Sequence, residues 1–135
     1  MKAHVDRQIT VPLENQPGQL AKLCQLLAEC AISVEAISII EGVEHGVVRL
    51  LTSDHQQCKQ TLSKSGFFVI EGEVLVLDLA DKVGKLAQVS AALAQAKVNI
   101  DYLYGSVGQA GMPTRVILKA SDLGRALEIL EKIQE

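Results

Sequence analysis

The chain has 135 residues, 48% of them apolar and 21% charged, with a formal net charge of −3. That length holds one ordinary domain or two very small ones, and the apolar share is enough to form a core, so the chain does not read as disordered. Aromatic residues are only 3%, Trp is absent and no basic stripe is present, which argues against base-stacking platforms, phosphate-tracking grooves and hence nucleic-acid binding.

Residues 5–13 alternate: Val5, Ile9, Val11 and Leu13 on one face, Asp6, Gln8 and Thr10 on the other. This is the period of a half-buried strand. Asn15-Gln16-Pro17-Gly18 breaks it, with Asn15 placed to cap a helix and Pro17 suited to a first turn. Leu20, Leu23, Cys24, Leu27 and Cys30 then recur at helical spacing. Residues 32–40 are β-branched and read as a strand. A polar, Gly-containing stretch around Gly42 and Gly46 leads to a further strand at 47–52. Ser53-Asp54 opens a helix anchored by Cys58 and Leu62, Gly66 ends it, and 67–70 reads as a fourth strand.

The order then restarts. A strand at 74–79 meets the break Asp81-Lys82-Val83-Gly84, a helix follows with Leu86, Val89 and Leu93, and a strand covers 98–104. Residues 105–113 are a Gly-rich loop, 114–119 a strand, and Ser121-Asp122 caps a last helix carrying Leu123, Ala126, Leu127, Leu130 and Ile133. The punctuation repeats as well: Gly18-Gln19-Leu20-Ala21 returns 66 residues on as Gly84-Lys85-Leu86-Ala87, and Ser53-Asp54 returns 68 residues on as Ser121-Asp122. Such self-similarity marks a duplication. Each copy reads βαββα, the ferredoxin-like arrangement of an α+β fold: antiparallel sheets with helices on one face. The first copy, 1–71, has its fourth strand. The second, 72–135, has no room for one after Ile133, so its last strand is missing or another segment fills the place. Residues 67–79 contain little turn chemistry beyond Gly72 and are read as a ribbon shared by both copies.

Cys24, Cys30 and Cys58 are an odd count with no CxxC, which argues against a disulfide framework or a zinc site and for reduced thiols. The N-terminus, with Lys2, His4, Asp6 and Arg7, lacks the apolar core of a signal peptide, and no run reaches membrane-spanning length. A soluble, cytoplasmic protein without a metal or cofactor is expected. His4, His45 and His55 have no ligand spacing and are expected at solvated surface; no nucleophile–base pattern stands out, and Glu41, Glu44, Glu71 and Glu73 read as turn and junction residues rather than an acid–base pair, so an enzyme is not expected. In the second copy Val74, Leu75, Val76 and Leu77 run without a break, as do Val116, Ile117 and Leu118. Helices cover one face only, so the other is expected to pack on a further sheet, within the chain or in a homodimer.

Two positions invite a ligand. A strand that runs into a helix N-terminus presents unpaired N–H groups and a partial positive charge, Gly18 permits close approach, and Asn15 brings both a donor and an acceptor. On spacing alone the same tetrapeptide reads as a tight turn with an N-cap. Asp81 and Gly84 repeat it. Ser33 and Asn99 begin the second strand of each copy, at a sheet edge where another copy can pair, or where they are solvated strand starts.

The strand–Asn-x-Pro-Gly–helix opening, Ala31-Ile32-Ser33-Val34-Glu35, and the hairpin ending in Val47-Val48-Arg49-Leu50 resemble an ACT domain. Lys97-Val98-Asn99-Ile100-Asp101-Tyr102-Leu103-Tyr104 resembles the same segment of a second one. The resemblance covers essentially the whole chain and is to small stand-alone tandem ACT proteins. It implies two ferredoxin-like (βαββαβ) modules forming a non-catalytic regulatory protein that binds a small molecule, an amino acid, between the strand–helix loop of one unit and the second strand of another. By motif position one site takes Leu13, Asn15, Gln16, Pro17 and Gly18 with Asn99, and the reciprocal one takes Leu79, Asp81, Lys82, Val83 and Gly84 with Ser33. Leu13 stands where serine-sensing members carry His, which implies a less polar ligand. Val83 replaces the loop Pro, which implies a less rigid second loop, and Ser33 reaches less far than Asn99, so the Asn15/Asn99 site is preferred. A homodimer and a metabolic-enzyme partner are expected with it. The alternative is a ligand-independent interaction module or regulatory subunit of such an enzyme.

Overall fold

The structure, a computed structural model, describes residues 1–42, 45–80, 83–105 and 113–133. The elements run β1 (Lys2–Glu14), α1 (Gln19–Glu29), β2 (Val34–Ile40), β3 (His45–Thr52), α2 (His55–Lys64), β4 (Ile70–Leu79), α3 (Lys85–Gln95), β5 (Ile100–Gly105), β6 (Thr114–Ala120) and α4 (Leu123–Glu131). The fold is the tandem ferredoxin-like α+β fold that the sequence pattern predicts.

The chain divides into two compact units, Arg7–Gly72 and Met1–Asp6 with Glu73–Glu135. In the first, β2 pairs antiparallel with β3 and β3 with β1, Leu50 lying between Ile37 and Ile9. Ile9, Val11, Val48 and Leu50 on this sheet meet Leu23 and Leu27 of α1 and Cys58 and Leu62 of α2 in one buried cluster. In the other unit β5 pairs with β6 and β6 with β4 in the same sense. There Leu75, Leu77, Val116 and Leu118 meet Val89, Leu93, Ala126 and Leu130. Each buried aliphatic side chain of this kind stabilises the folded state by about 1.5–3 kcal/mol.

The repeat predicted from sequence extends to backbone detail. A register irregularity falls between Val34 and Ala36 in β2 and between Ile100 and Tyr102 in β5, at matching positions. Asp54 and Asp122 each cap the following helix, their Oδ1 atoms accepting the backbone N–H of Gln57 and of Arg125 at 3.1 Å.

Three differences from the sequence reading have physical causes. The strand that 72–135 lacks by itself is supplied from the front of the chain: Lys2–Asp6, the first part of β1, belongs to that unit, and Met1 and Ala3 pack against its core. The Met1 amine donates to the Ile133 carbonyl oxygen. Phe67, Phe68 and Val69 are not strand; β4 starts at Ile70 and runs unbroken to Leu79, with Ile70–Gly72 in one unit and the rest in the other, which is the shared ribbon. Gln8, on the predicted polar face of the first strand, is only 2% exposed, and its Nε2 donates to Thr10 Oγ1 at 3.5 Å. Val74, Val76 and Ile117 are likewise buried in the single chain, outside the helix-side clusters. Burial of both sheet faces explains the continuous apolar runs without a second copy.

Helix ends are closed by left-handed residues. In α1, Ala31 (φ 56°) lets its own N–H reach Ala28 O at 3.0 Å and the Ile32 N–H reach Leu27 O at 2.9 Å. In α3, Lys97 (φ 59°) does the same with Ala94 O and, through Val98, Leu93 O. In α2 the position is Gly66. This cap normally favours glycine, because a Cβ in the left-handed region clashes with the carbonyl that follows. His55 is not at solvated surface: its Nε2 lies 2.6 Å from Glu71 Oε1, and Lys59 and Arg7 reach the same carboxylate at 3.0 and 3.1 Å. The hydrogen bond from His55, then that from Lys59, holds the Glu71 carboxyl down at about 2.

Two outcomes follow from these contacts. Lys97→Gly is expected to raise unfolding stability in urea by roughly 0.5–1 kcal/mol, relief of left-handed strain exceeding the entropy glycine adds to the unfolded chain; an unchanged or lower midpoint shows that Lys97 is unstrained. Glu71 is depressed in the fold, so its contribution is full above the ordinary carboxylate value of 4.5 and is lost as pH falls through about 2. Glu71→Gln is therefore expected to destabilise at pH 7, with the gap from the parent closing between about pH 4.5 and 2; a gap that persists at pH 2 contradicts the charge assignment.

Candidate functional site

The strand–helix loop of the Arg7–Gly72 unit is built from the end of β1. Leu13 is buried at the strand end, opposite Gly46 of β3. Glu14 and the following residues through Gly18 turn outward and are exposed. Gln16 N–H donates to Glu14 O at 2.8 Å, and Gln19 N–H to Gln16 O at 3.4 Å.

The predicted cap is not where the sequence places it. The N-cap of α1 is Gly18, at φ 90° and ψ −11°, with no side-chain cap, and Pro17 precedes the helix instead of opening it. A Cβ at Gly18 would meet nothing within 4 Å, so glycine is required there by backbone conformation and not by space. Asn15, freed from capping, turns to the neighbouring hairpin: its Nδ2 donates to Gly42 O at 3.3 Å. Gly42 is itself fixed by sterics, since a Cβ there would collide with the His45 carbonyl.

The second loop repeats this. Gly84 is the N-cap of α3 at φ 91° and ψ −2°, again with no side-chain cap, so α3 begins on the same left-handed backbone as α1 although Val83 stands where Pro17 does. Asp81 and Lys82 lie outside the described residues; Leu79 is buried at the end of β4, and Val83 is fully exposed. Neither α1 nor α3 has an acidic residue in its first turn. Among the described residues no side chain therefore compensates the N–H groups and the positive end of the dipole at these two helices, while α2 and α4 are capped by Asp54 and Asp122.

Ser33 and Asn99 also correspond. Each stands exposed just before its strand and exchanges two hydrogen bonds with a serine: Ser33 with Ser53 at 2.9 Å in both directions, Asn99 with Ser121 at 3.0 and 2.9 Å. The Asn99 carboxamide Nδ2 donates to Asp101 Oδ1 at 3.0 Å, which orients the side chain and leaves Oδ1 as acceptor. Asn99 borders an open groove of about 450 Å3 with Ser90, Lys97 and Ile100, and Gly18 borders one of about 400 Å3 along α1 with Lys22 and Gln25. Leu13, Asn15, Gln16, Pro17, Gly18 and Ser33 thus belong to one unit, Gly84 and Asn99 to the other. Among the described residues no group of three His, Cys, Asp or Glu side chains is placed to hold a metal ion, and no helix is long and apolar enough to cross a membrane.

Comparison with known proteins agrees with this architecture. The family described as an ACT domain pair matches residues 4–134. An aspartokinase of Corynebacterium glutamicum is 42% identical over 67 residues, which is 47% of this chain and 16% of that protein; the chain thus spans about a sixth of the length of this curated relative. A solved protein of Bacteroides thetaiotaomicron superposes with TM-score 0.90 at 27% identity, over 96% of this chain and 89% of the other. The regulatory subunit of aspartate kinase from Thermus thermophilus, in its ligand-free form, superposes with TM-score 0.70 at 20% identity, over 100% and 99% of the two chains. With the duplicated βαββαβ pattern and its two matching strand–helix loops in place, the chain is a member of the ACT domain pair family.

Proposed function

We propose that this chain is a non-catalytic regulatory module that binds an amino acid and passes its occupancy to a metabolic enzyme. One observation carries the reading: of the four described helices, α1 and α3 alone begin at a left-handed glycine with no side-chain cap, at the two loops where the family resemblance places ligand. An α-carboxylate satisfies such an end directly. In this reading the ligand lies between the Leu13–Gly18 loop of one ACT unit and the second strand of another. Loop N–H groups take its carboxylate, Asn15 and Asn99 hydrogen-bond its polar groups, and Leu13 selects a less polar side chain. The reciprocal set is Asp81, Gly84 and Ser33. The likeness to aspartokinase sequence and to a regulatory subunit of aspartate kinase supports an enzyme of that kind as the partner and a cytoplasmic setting.

A homodimer belongs to the same proposal. β2 is an edge strand with Val34, Ile37, Ile39 and Ile40 exposed, and an exposed aliphatic edge is a template for a second strand. Sedimentation at micromolar concentration is expected to show a dimer that Ile39→Lys converts to monomer; a parent protein already monomeric contradicts the pairing.

The ligand reading is tested by thermal shift against the common amino acids. One or a few are expected to stabilise, by about 2.7 kcal/mol at a hundredfold excess over Kd. Asn15→Ala is expected to abolish that gain and to lower the ligand-free stability by no more than about 1 kcal/mol, the worth of one exposed hydrogen bond. A full ligand response in Asn15→Ala, or none from any amino acid in the parent, overturns the assignment.

A further inference from the structure

An open groove of about 320 Å3 lies within the Arg7–Gly72 unit, where β1 ends and α2 hands over to β4. Leu13, Glu14, Lys22, His45, Phe67 and Phe68 are among its walls. The chain contains two phenylalanines, and both stand here. Phe67 packs against the helix-side core, and the Lys22 ammonium sits 5.6 Å from its ring centroid. Phe68 beside it leaves 69% of its surface in water.

A single exposed apolar side chain is ordinary. In a chain so poor in rings, an exposed ring beside a partly buried one, both on a concave surface, is a different matter. Ligand sites are concave, pair apolar surface with polar groups that set orientation, and begin at about 300 Å3. Here Phe67 and Phe68 supply the apolar surface in a lining that is otherwise largely polar, with Glu14, Gln19, Lys22, His45 and Ser65. The orienting charge is the Lys22 ammonium. A flat ring stacked on Phe68, with its carboxylate turned toward Lys22, satisfies both.

We propose that this groove is a second small-molecule site, specific for a small aromatic carboxylate and complete within one unit. It goes beyond the loop-and-strand site, needing neither Asn99 nor a second copy. Glu14 is the acidic side chain at the rim, so the same groove accepts a free aromatic acid or an aromatic amino acid whose ammonium meets Glu14.

Amide NMR titration of the full chain, first with 3-phenylpropionate and then with L-phenylalanine, tests this. Shifts are expected at Leu13, Lys22, Phe67 and Phe68. Phe68→Ser, a change at an exposed position that leaves the folded spectrum intact, and Lys22→Gln are each expected to weaken binding at least about tenfold, with Asn99→Ala leaving it unchanged. 3-Phenylpropan-1-ol, which lacks the carboxylate, is expected to bind the parent no better than 3-phenylpropionate binds Lys22→Gln. Shifts with both acids, or with 3-phenylpropionate alone, support the site and tell an amino-acid source from a free-acid one. No shift at these amides with either probe, or binding that survives both groove substitutions, overturns it. An amino-acid response that is lost in Asn15→Ala but retained in Phe68→Ser removes the groove while leaving the loop site standing.

Discussion

A helix lies on its sheet only if the chain reverses within a few residues at each end, and here single left-handed residues make most of those reversals. Gly18 and Gly84 lead into α1 and α3, and Ala31 and Lys97 lead out of them. Two of these are not glycine, and a left-handed L-residue costs roughly 1–2 kcal/mol. The strain is held in place by what the reversal allows. Ile32 and Val98, the residues after Ala31 and Lys97, drop into the cores beside Leu27 and Leu93. The hydrogen bonds that close each helix and the aliphatic contacts that close each core are made by the same few residues, and without the reversal neither forms.

The chemistry of the candidate site comes from that constraint. A glycine that must be left-handed has no side chain with which to cap, so α1 and α3 keep exposed N–H groups and the positive end of the dipole. The helices that start from extended residues, α2 and α4, are capped by aspartates and carry no such opening. Uncapped and aspartate-capped helix starts thus alternate along the chain. Asn15, which elsewhere would be a capping residue, instead ties the loop to the hairpin at Gly42. Lys22, one turn into α1, faces the groove formed with Phe67 and Phe68.

Duplication leaves the second copy dependent on strand supplied from beyond its own repeat. Lys2–Asp6 completes the unit whose other residues come from Glu73 onward, and β4 passes from one unit to the other at Gly72. At the same junctions Arg7 and Glu71, with His55 and Lys59 from α2, form an ionic cluster inside the Arg7–Gly72 unit. The cluster ties β1 and the start of β4 to the second helix of that unit.

How much of this was legible beforehand follows from range. Periodicity is local, so the alternation of Val5 to Leu13 and the helical spacing of Leu20 to Leu27 identified elements without tertiary information. Turn chemistry is local too, and the aspartate caps and Gly66 were readable from the residues alone. Recurrence of the punctuation at offsets of 66 and 68 residues disclosed the duplication, and with it the family resemblance. Asn15 does not cap α1 because Gly18, left-handed, takes the N-cap position through its backbone angle, which the preference for polar capping residues does not register. The burial of Gln8, the convergence of Arg7, His55 and Lys59 on Glu71, and the meeting of Lys22 with Phe67 and Phe68 around one groove join residues far apart in the chain. Sequence alone determined which elements exist, where the chain reverses and that the pattern occurs twice, because these depend on neighbours a few residues apart. The tertiary structure alone decided which segment completes the second sheet, which helix ends stay uncapped and which charges meet, because those depend on contacts the folded backbone brings together.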